Sequence, residues 1–242
     1  MLFRSPITAS GNSSTVIGGF GNTASGFGST VGGGSSNFAT GDFSFVGGCS
    51  ANSNNQPGSF VWADYTGSGI CEALLATAPR QFIARARGGV IFYTSTGSQT
   101  GVQVAPGGGS WSAVSDRNVK ELFSAVDTRQ LLAQVLALPI TTWNYKSQAA
   151  GIRHIGPMAQ DFFAAFNVGE DDKHITTIDE GGVALAAIQG LNEKLQDEVR
   201  QKDAEVAALA SEVRALRAEM DELKNEIRAR ASGNRVIGES GN

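Results

Sequence analysis

Apolar and polar positions recur at a fixed spacing along the first quarter of this 242-residue chain. Val16 is followed by Val31 and Val46, at steps of 15 residues (31 − 16 and 46 − 31). Glycines and small polar residues keep the same step: Gly11, Ser14, Gly18, Asn22 and Ala24; Gly26, Ser29, Gly33, Asn37 and Ala39; Gly41, Ser44, Gly48 and Asn52. A fixed period of this size predicts a stacked repeat structure rather than a pocketed enzyme domain.

Each repeat unit predicts one coil of a β-roll, with two short strands separated by glycines. We expect the three valines to stack above one another, and the asparagines Asn22, Asn37 and Asn52 to form a second column. Glycine and asparagine suit the corners because both tolerate positive φ. One coil has too few apolar side chains to be stable alone, so neighbouring coils and sister chains must complete the core. The alternative is a disordered Gly/Ser linker.

Residues 57–113 predict further β structure. Apolar and basic side chains alternate over residues 81–87, which is typical of a half-buried strand. Gly88-Gly89 then indicates a turn, and residues 90–93 predict a strand that returns beside the first. The Pro-Gly-Gly-Gly run at residues 106–109 predicts a flexible hinge.

Helical periodicity dominates the second half of the chain. Asp127 precedes an amphipathic run and predicts an N-capped helix. Residues 157–166 predict a second helix, which ends at Asn167 and Gly169. An unbroken heptad over residues 185–227 predicts a coiled coil about 64 Å long, followed by an end at residues 231–234.

The coiled-coil seam keeps its alternating steps of three and four residues throughout. Position a holds Leu185, Asn192, Val199, Val206, Val213, Met220 and Ile227, and position d holds Ile188, Leu195, Lys202, Leu209, Leu216 and Leu223. Asn192 and Lys202 weaken the seam but favour one register. Valine at a with leucine at d favours a parallel dimer.

Composition separates a Gly/Ser/Thr/Asn-rich first half from a charged C-terminal segment. We expect a β-roll over 11–56, a β-rich shaft and hinge over 57–113, a head over 114–184 and a coiled coil over 185–230. A net charge of −4 indicates no nucleic-acid partner. No apolar run is long enough for a membrane span, and the N-terminus lacks the apolar core of a signal peptide.

The two cysteines and two histidines predict neither a metal site nor a cofactor, because they lack ligand spacing. Cys49 takes the repeat position of Gly19 and Gly34. We therefore expect a small buried side chain there rather than a disulfide with Cys71.

Ser115 and Lys120 form a candidate pair for nucleophilic chemistry. Residues five apart lie about 140° apart on a helix and on opposite faces of a strand. The two side chains can therefore meet only if the chain turns, for example if Asp116 caps a helix that begins near Arg117. A serine hydroxyl attacks when a base takes its proton, and a lysine is such a base only when burial or nearby positive charge neutralises it. The alternative is a capped helix followed by an exposed lysine.

Several motifs resemble one family in their order along the chain. Ser115-Asp116-Arg117 with Lys120 resembles the opening of the endosialidase-type intramolecular chaperone, a self-cleaving C-terminal domain of phage tailspikes and tail fibres. Further resembling motifs are Leu138-Pro139-Ile140, Trp143-Asn144-Tyr145, residues 153–161, and residues 179–185 as the turn before the terminal helices. The repeats are similar to the head repeats of trimeric autotransporter adhesins, which are left-handed parallel β-rolls.

The resemblance implies a homotrimer that helps a fibre to fold and then releases its chaperone by one autocatalytic cut. It implies Ser115 as the nucleophile, Lys120 as its general base, and a cut between Val114 and Ser115. His154 either orients a group at this site or is a packing residue. We expect burial by a sister subunit or the docked shaft to neutralise the lysine, so that assembly starts the cut.

The sequence therefore predicts a mixed fold: a trimeric parallel β-roll and β-rich shaft, an α+β chaperone head and a C-terminal α-helical coiled coil. The predicted function is a tail-fibre or tailspike-like protein of the virion or cell surface. One alternative is an adhesin or fibre tip whose β-roll binds a host glycan or protein receptor, with a C-terminal part that only trimerises. Another is an oligomerisation module with an inactive dyad. No carboxylate pair indicates sialidase activity.

Overall fold

The computed structural model describes residues 6–238 apart from Thr66, Ser68 and Ile70, with the side chains of the C-terminal helix described to Arg230. The chain divides into two compact units, Met1–Glu121 and Leu122–Asn242.

The first unit begins as a parallel β-solenoid. Ten short strands alternate along the chain between two five-stranded sheets, so that odd-numbered strands form one sheet and even-numbered strands the other. The strands are β1 (Thr8–Ala9), β2 (Thr15–Val16), β3 (Thr23–Ala24), β4 (Thr30–Ser35), β5 (Phe38–Ala39), β6 (Phe45–Cys49), β7 (Ala51–Asn52), β8 (Phe60–Ala63), β9 (Leu74–Leu75) and β10 (Phe82–Arg85).

The predicted valine column is confirmed. Val16 pairs with Val31, Val31 with Val46, and Val46 with Val61 along the even-numbered sheet. The solenoid core consists of small apolar residues with no exposed surface: Ala24, Val31, Ala39, Val46, Ala51, Val61, Ala63 and Ala76. Each coil contributes only a few of them, so every coil depends on its neighbours for burial.

Two asparagines form a buried hydrogen-bonded column beside this core. The Asn37 backbone N–H and Nδ2 donate to Oδ1 of Asn22 over 3.0 and 3.1 Å. Asn37 Nδ2 also donates to the carbonyl oxygens of Gly33 and Gly48, at 3.0 and 2.9 Å. The backbone N–H of Ala51 donates to Asn37 Oδ1 over 2.9 Å. Each asparagine thus supplies the polar partners that a glycine corner leaves unsatisfied.

The prediction that Asn52 continues this column is wrong. Ala51 takes the place that the repeat assigns to Asn52, because the third coil is one residue shorter at its glycine corner. Gly34 pairs there with Gly48 rather than with Cys49. Asn52 instead accepts a local hydrogen bond from the backbone two residues further on.

A longer fourth coil breaks the 15-residue period. Phe60 pairs with Phe82, which is 22 residues further on (82 − 60), so this coil contains seven additional residues (22 − 15). Cys71 lies in the longer segment and forms a disulfide with Cys49. The prediction of an unpaired Cys49 is therefore wrong, although its side chain is buried as expected. The repeat pattern does not reveal the pairing, because the insertion brings Cys71 back to the preceding coil.

An ion-pair cluster connects the same longer segment to β10. Arg85 Nε donates to Asp64 Oδ1 at 2.9 Å, while the backbone N–H and Nε of Arg87 donate to Asp64 Oδ2 at 2.9 and 3.2 Å. The side-chain hydrogen bond from Arg85, followed by the backbone hydrogen bond from Arg87, lowers the pKa of Asp64 to about 2. The cluster therefore stays ionised under mildly acidic conditions.

The first unit ends in a three-stranded antiparallel sheet with the order β11-β12-β13. Its strands are β11 (Val90–Tyr93), β12 (Gly101–Val104) and β13 (Ser112–Ala113). The prediction that residues 90–93 return beside β10 is wrong, because β10 pairs in parallel with β8 and β11 pairs with β12. Strand β10 pairs with β8 because it continues the parallel sheet of the solenoid. The turn at Gly88-Gly89 does not indicate which strand β10 pairs with.

The second unit contains three helices and a two-stranded antiparallel sheet within the part of the chain that the structure describes. Its elements are α1 (Thr128–Ala137), β14 (Thr141–Trp143), β15 (His154–Gly156), α2 (Ala159–Phe166) and α3 (Thr177–Gly238). The predicted cap of α1 is confirmed, since Asp127 accepts hydrogen bonds from two backbone N–H groups of the first turn. The predicted end of α2 is also confirmed, since Asn167 adopts the left-handed conformation.

The long helix α3 begins earlier and ends later than predicted. Residues 179–185, expected to form a turn, lie inside the helix because Thr176 caps it: Thr176 Oγ1 accepts from the Asp179 N–H at 3.1 Å and donates to Asp179 Oδ2 at 2.6 Å. At the other end the helix continues to Gly238, past the expected end at residues 231–234. No helix among the described residues combines the length and apolarity that a membrane span requires.

Helix α1 packs against α3 at Gly190. A Cβ atom at Gly190 would lie 2.1 Å from the carbonyl oxygen of Thr128, so only glycine allows this approach. Beside it, Arg129 forms ion pairs with Glu193 at 3.1 Å and Asp197 at 2.5 Å. In the heptad, Gly190 and Asp197 occupy position f and Glu193 occupies position b, on the side opposite to a and d.

We expect Gly190→Ala to destabilise the second unit by about 1–3 kcal/mol, because the new methyl group would overlap backbone atoms that must move away. Gly182→Ala is the matched control, since it lies in the same helix and an added Cβ there would have no neighbouring atom within 4 Å. There alanine should stabilise the helix by about 0.8–1 kcal/mol through its higher propensity. Urea unfolding followed by far-UV circular dichroism measures both effects, and equal shifts for both variants would exclude the close packing at Gly190.

Candidate functional site

The segment that carries Ser115 and Lys120 forms one tight turn. Residues Arg117–Val119 form a 3₁₀ turn, and Asp116 caps it by accepting from the Asn118 N–H at 2.9 Å. Asn118 Nδ2 donates to the same Asp116 oxygen at 3.0 Å. The predicted cap at Asp116 is confirmed, with a 3₁₀ turn in place of an α-helix.

This turn brings the two candidate side chains together. Lys120 Nζ donates to Ser115 Oγ over 2.7 Å, within the range required of a nucleophile and its base. Both residues are exposed in the single chain. With the lysine as donor, the hydroxyl oxygen of Ser115 is the acceptor; general-base chemistry requires the reverse, in which a neutral amine accepts the hydroxyl proton.

The residue before Ser115 is held by the sheet. Val114 follows the edge strand β13, and its backbone N–H donates to the carbonyl oxygen of Gly101 on β12 over 3.1 Å. A side chain at Gly101 would meet the carbonyl oxygen of Phe92 at 2.2 Å, so glycine is required where β11 and β12 approach. The peptide bond between Val114 and Ser115 thus lies where a hydrogen-bonded strand passes into the capped turn.

The sequence does not indicate that Gly101 positions Val114. The two lie 13 residues apart (114 − 101), on opposite sides of the predicted hinge, and no local motif connects them. The ring of Trp111 lies 5.8 Å from that of Phe92, which adds a side-chain contact across the same sheet. Only the pairing of β12 with β13 reveals this arrangement.

His154 lies in the second unit, in an aromatic cluster on the β14–β15 hairpin. Its Nε2 lies 2.8 Å from Gln148 Oε1. Its ring centroid is 4.8 Å from that of Trp143 and 5.5 Å from that of Tyr145. Two of the motifs noted in the sequence, Trp143-Asn144-Tyr145 and residues 153–161, therefore meet at this hairpin. Ser115 and Lys120 belong to the first unit.

The outer face of the even-numbered solenoid sheet carries a second candidate surface. The rings of Phe45, Phe60 and Phe82 stack in a row, with centroid distances of 5.1 and 4.7 Å. Gly32 leaves room for this row, because a Cβ there would lie 2.7 Å from the tip of Phe45. Phe60 and Phe82 also line an open apolar groove of about 540 Å³ that extends to Trp111. Within the described residues, no cluster of acidic, cysteine and histidine side chains could hold a metal ion.

Comparison with known proteins identifies the segment around the Ser115–Lys120 turn. Residues 115–168 match the family Peptidase_S74, described as chaperone of endosialidase, which confirms the family predicted for this segment. The matched range contains the capped turn, α1, the β14–β15 hairpin and α2, and it excludes the β-solenoid. No curated protein and no solved structure matches the chain.

Proposed function

From the match to the chaperone of endosialidase, we propose that this chain is a phage tail-fibre-like protein that assembles as a homotrimer and then cuts itself once. The cut separates residues 1–114, with the solenoid and the antiparallel sheet, from the chaperone segment that begins at Ser115. The observation that carries the proposal is the 2.7 Å contact between Lys120 Nζ and Ser115 Oγ inside the matched range.

The proposed chemistry is an acyl transfer followed by hydrolysis. Neutral Lys120 takes the hydroxyl proton of Ser115 while Oγ attacks the carbonyl carbon of Val114. The C–N bond between Val114 and Ser115 then breaks, and the proton moves from Lys120 to the leaving amino nitrogen. Water hydrolyses the resulting ester, which leaves a carboxylate on Val114 and restores the Ser115 hydroxyl. No cofactor or metal takes part in these steps.

The geometry around Val114 supports this position of the cut. The hydrogen bond from Val114 to Gly101 fixes the acyl side of the bond, while the Asp116 cap fixes the turn that follows it. Holding both sides of a reacting bond reduces the entropy that must be lost on the way to the transition state. After the cut, β13 remains paired with β12 in the N-terminal fragment.

Assembly is the proposed trigger for the cut. In the single chain, both Ser115 and Lys120 are exposed and the lysine acts as hydrogen-bond donor. Contact with a sister chain or the docked shaft would exclude water and favour the neutral amine. The cut would then follow trimer formation. The protein would act in the virion or at another extracellular surface.

In this proposal His154 is a packing residue of the β14–β15 hairpin. The hydrogen bond with Gln148 and the rings of Trp143 and Tyr145 hold it inside the hairpin cluster. Such contacts are typical of a histidine that maintains local packing.

The exposed aromatic row favours a second candidate function. An adhesin or receptor-binding fibre tip needs a surface that can hold a host glycan or protein, and Phe45, Phe60 and Phe82 supply an apolar face for one. In that case the C-terminal segment would trimerise the chain without cutting it.

Purification of the full chain under non-denaturing conditions tests the proposal. We expect two fragments on a denaturing gel, 1–114 and 115–242, and Edman sequencing of the C-terminal fragment should begin at Ser115. The chain should remain trimeric by light scattering before cleavage. A stable full-length trimer that never yields these fragments would contradict self-cleavage and favour the receptor-binding alternative.

A further inference from the structure

One corner of the solenoid carries large side chains on a backbone conformation that favours glycine. Successive coils each have one residue there in the left-handed region, with φ of +58° at Ser13, +61° at Gly28, +54° at Phe43, +67° at Gly58 and +59° at Arg80. From Gly28 onward, the backbone N–H of each of these residues donates to a carbonyl oxygen of the preceding coil over 2.7–2.9 Å. These residues, called the corner column, therefore stack one above another.

Phe43 and Arg80 occupy the corner column at a cost in stability. The left-handed region is unfavourable for a residue with a bulky side chain, whereas glycine adopts it freely. Neither side chain is buried in return, since Phe43 is 67% exposed and Arg80 is also exposed. In the described part of the chain, the Arg80 guanidinium has no hydrogen-bond or ion-pair partner. Backbone strain that little packing offsets is found mainly at ligand-binding and switch positions.

Glycines in the alternate coils leave room for both side chains. A Cβ at Gly28 would lie 3.0 Å from the ring of Phe43, and a Cβ at Gly58 would lie 3.4 Å from Cγ of Arg80. The ring of Phe43 therefore covers Gly28, and the stem of Arg80 extends over Gly58 towards Phe43. The backbones of Phe43 and Arg80 are two coils apart, about 10 Å. The direction of the Arg80 side chain brings its guanidinium closer to the ring than this backbone distance.

Phe27 and Asp42 complete the surface around Phe43. The rings of Phe27 and Phe43 meet edge to face, with centroids 5.2 Å apart and planes at 80°. Phe27 is 48% exposed, so both rings are open to solvent. The Phe27 backbone N–H donates to Asp42 Oδ1 over 2.9 Å, while Asp42 Oδ2 has no partner among the residues described. The corner thus combines two open aromatic rings, a carboxylate oxygen and an unpaired guanidinium.

We propose that the corner column binds an acidic saccharide whose sugar ring carries a carboxylate, such as a hexuronic acid unit. The C–H face of a sugar ring is apolar and packs on exposed aromatic rings, here those of Phe43 and Phe27. The planar Arg80 guanidinium matches the two oxygens of a carboxylate. Asp42 Oδ2 then accepts a hydrogen bond from a sugar hydroxyl. The inference rests on the receptor-binding alternative, names its ligand class, and holds whether or not the chain cuts itself.

The arrangement favours a saccharide over other anionic ligands. A nucleic acid or an anionic membrane is held by several basic side chains, whereas the corner column supplies only Arg80, with the carboxylate of Asp42 nearby. The column lies two residues before the exposed aromatic row on each coil, as at positions 43 and 45 and at positions 80 and 82. The row of Phe45, Phe60 and Phe82 therefore extends the apolar surface on which further sugar rings can lie.

Binding of the full chain to immobilised polygalacturonate and hyaluronate, followed by surface plasmon resonance, tests the inference. Phe43→Gly introduces the residue of the neighbouring coils and should raise the dissociation constant at least about tenfold. Its Tm should stay within about 2 °C of the parent value or rise, because the backbone strain is removed. Phe20→Ala is the matched control, since Phe20 is also exposed but lies at the other corner of the coil, between β2 and β3. It should bind like the parent.

Variants of Arg80 test the charged half of the site independently of Phe43. Arg80→Gln should weaken binding at least about tenfold, and Arg80→Lys by less, because lysine keeps the charge but not the planar fork. Arg214→Gln in α3 changes the net charge equally and should leave binding within about twofold of the parent. Amylose, which lacks carboxylates, and polyglutamate, which lacks sugar rings, should each bind at least about tenfold more weakly than the acidic saccharides.

Several outcomes would overturn the inference: binding to neither acidic saccharide, equal binding of amylose or polyglutamate, or parent affinity in Phe43→Gly or Arg80→Gln. Loss of binding in Phe45→Ala alone would assign the ligand to the aromatic row, which refutes the corner site and keeps the receptor-binding alternative. A denaturing gel of the same samples scores the cut after Val114. Saccharide binding by a chain that stays uncut would refute self-cleavage alone.

Discussion

Replacing Ser115 with alanine should leave the full chain uncut at residue 114. The proposed reaction needs the Ser115 hydroxyl as its nucleophile, and no other hydroxyl lies 2.7 Å from Lys120 Nζ among the described residues. Removing the nucleophile should slow the cut by at least about a thousandfold. Denaturing gels of samples taken over time measure the rate.

Lys120→Arg should stop the cut equally well although it keeps a positive hydrogen-bond donor near Ser115. Arginine stays protonated in proteins and therefore cannot accept the hydroxyl proton. This variant separates a base from a merely structural contact, because a structural role would tolerate arginine better than alanine. Folding and trimer mass should remain unchanged in both variants.

Ser112→Ala is the matched control for these two substitutions. Ser112 lies three residues upstream on β13, where its hydroxyl donates only to the Gln103 carbonyl oxygen over 3.3 Å. Its loss should leave cleavage within about twofold of the parent rate. Normal cleavage of the Ser115→Ala or Lys120→Arg chain at residue 114 would rule out the proposed dyad.

Replacing Asn37 with alanine should cause the largest loss of stability in the solenoid, about 3–4 kcal/mol. Asn37 is fully buried, and its side chain bonds Asn22, the backbone of Ala51 and two glycine carbonyl oxygens. Alanine would leave several buried polar groups without partners, and each such group costs about 1–3 kcal/mol. The loss should spread to neighbouring coils because stacked repeats share their interfaces.

Asn52→Ala is the control that the repeat itself supplies. Asn52 has the same repeat position in the sequence, yet it lies outside the buried column, and its side chain accepts one local hydrogen bond, from the backbone N–H of Asn54. Its replacement should cost less than about 1 kcal/mol. Hydrogen–deuterium exchange of solenoid peptides in increasing urea measures both losses. Equal losses would mean that the column does not stabilise the solenoid.

Within residues 115–168, local sequence patterns were sufficient to predict several structural features. The capped turn at Asp116, the cap of α1 at Asp127 and the end of α2 at Asn167 were all predicted from local residues, and the structure has them. Caps and tight turns depend on side chains within three or four residues of the backbone they bind. A sequence read locally therefore contains the information that they need.

Several features depended on chain segments far apart in the sequence. The residues around Gly190 do not indicate its contact with α1, and those around Gly101 do not indicate its bond to Val114. The candidate dyad was predictable only as two residues that a turn would bring together. The neighbouring strand that holds Val114 was not predictable, because antiparallel pairing across a 13-residue separation leaves no periodic signal.

By itself, the sequence determined the solenoid period, the inward valine column, the helix caps, the heptad seam and the family of residues 115–168, because each is a local or periodic pattern. The tertiary structure alone decided that Ala51 displaces Asn52, that Cys49 pairs with Cys71, and that β11 joins β12. The third coil is one residue shorter than the repeat and the fourth is seven residues longer. These differences in length change which residues of neighbouring coils come into contact. The physical reason is that contacts between coils depend on the length of every intervening segment, whereas a side chain's preference for the interior depends on that residue alone.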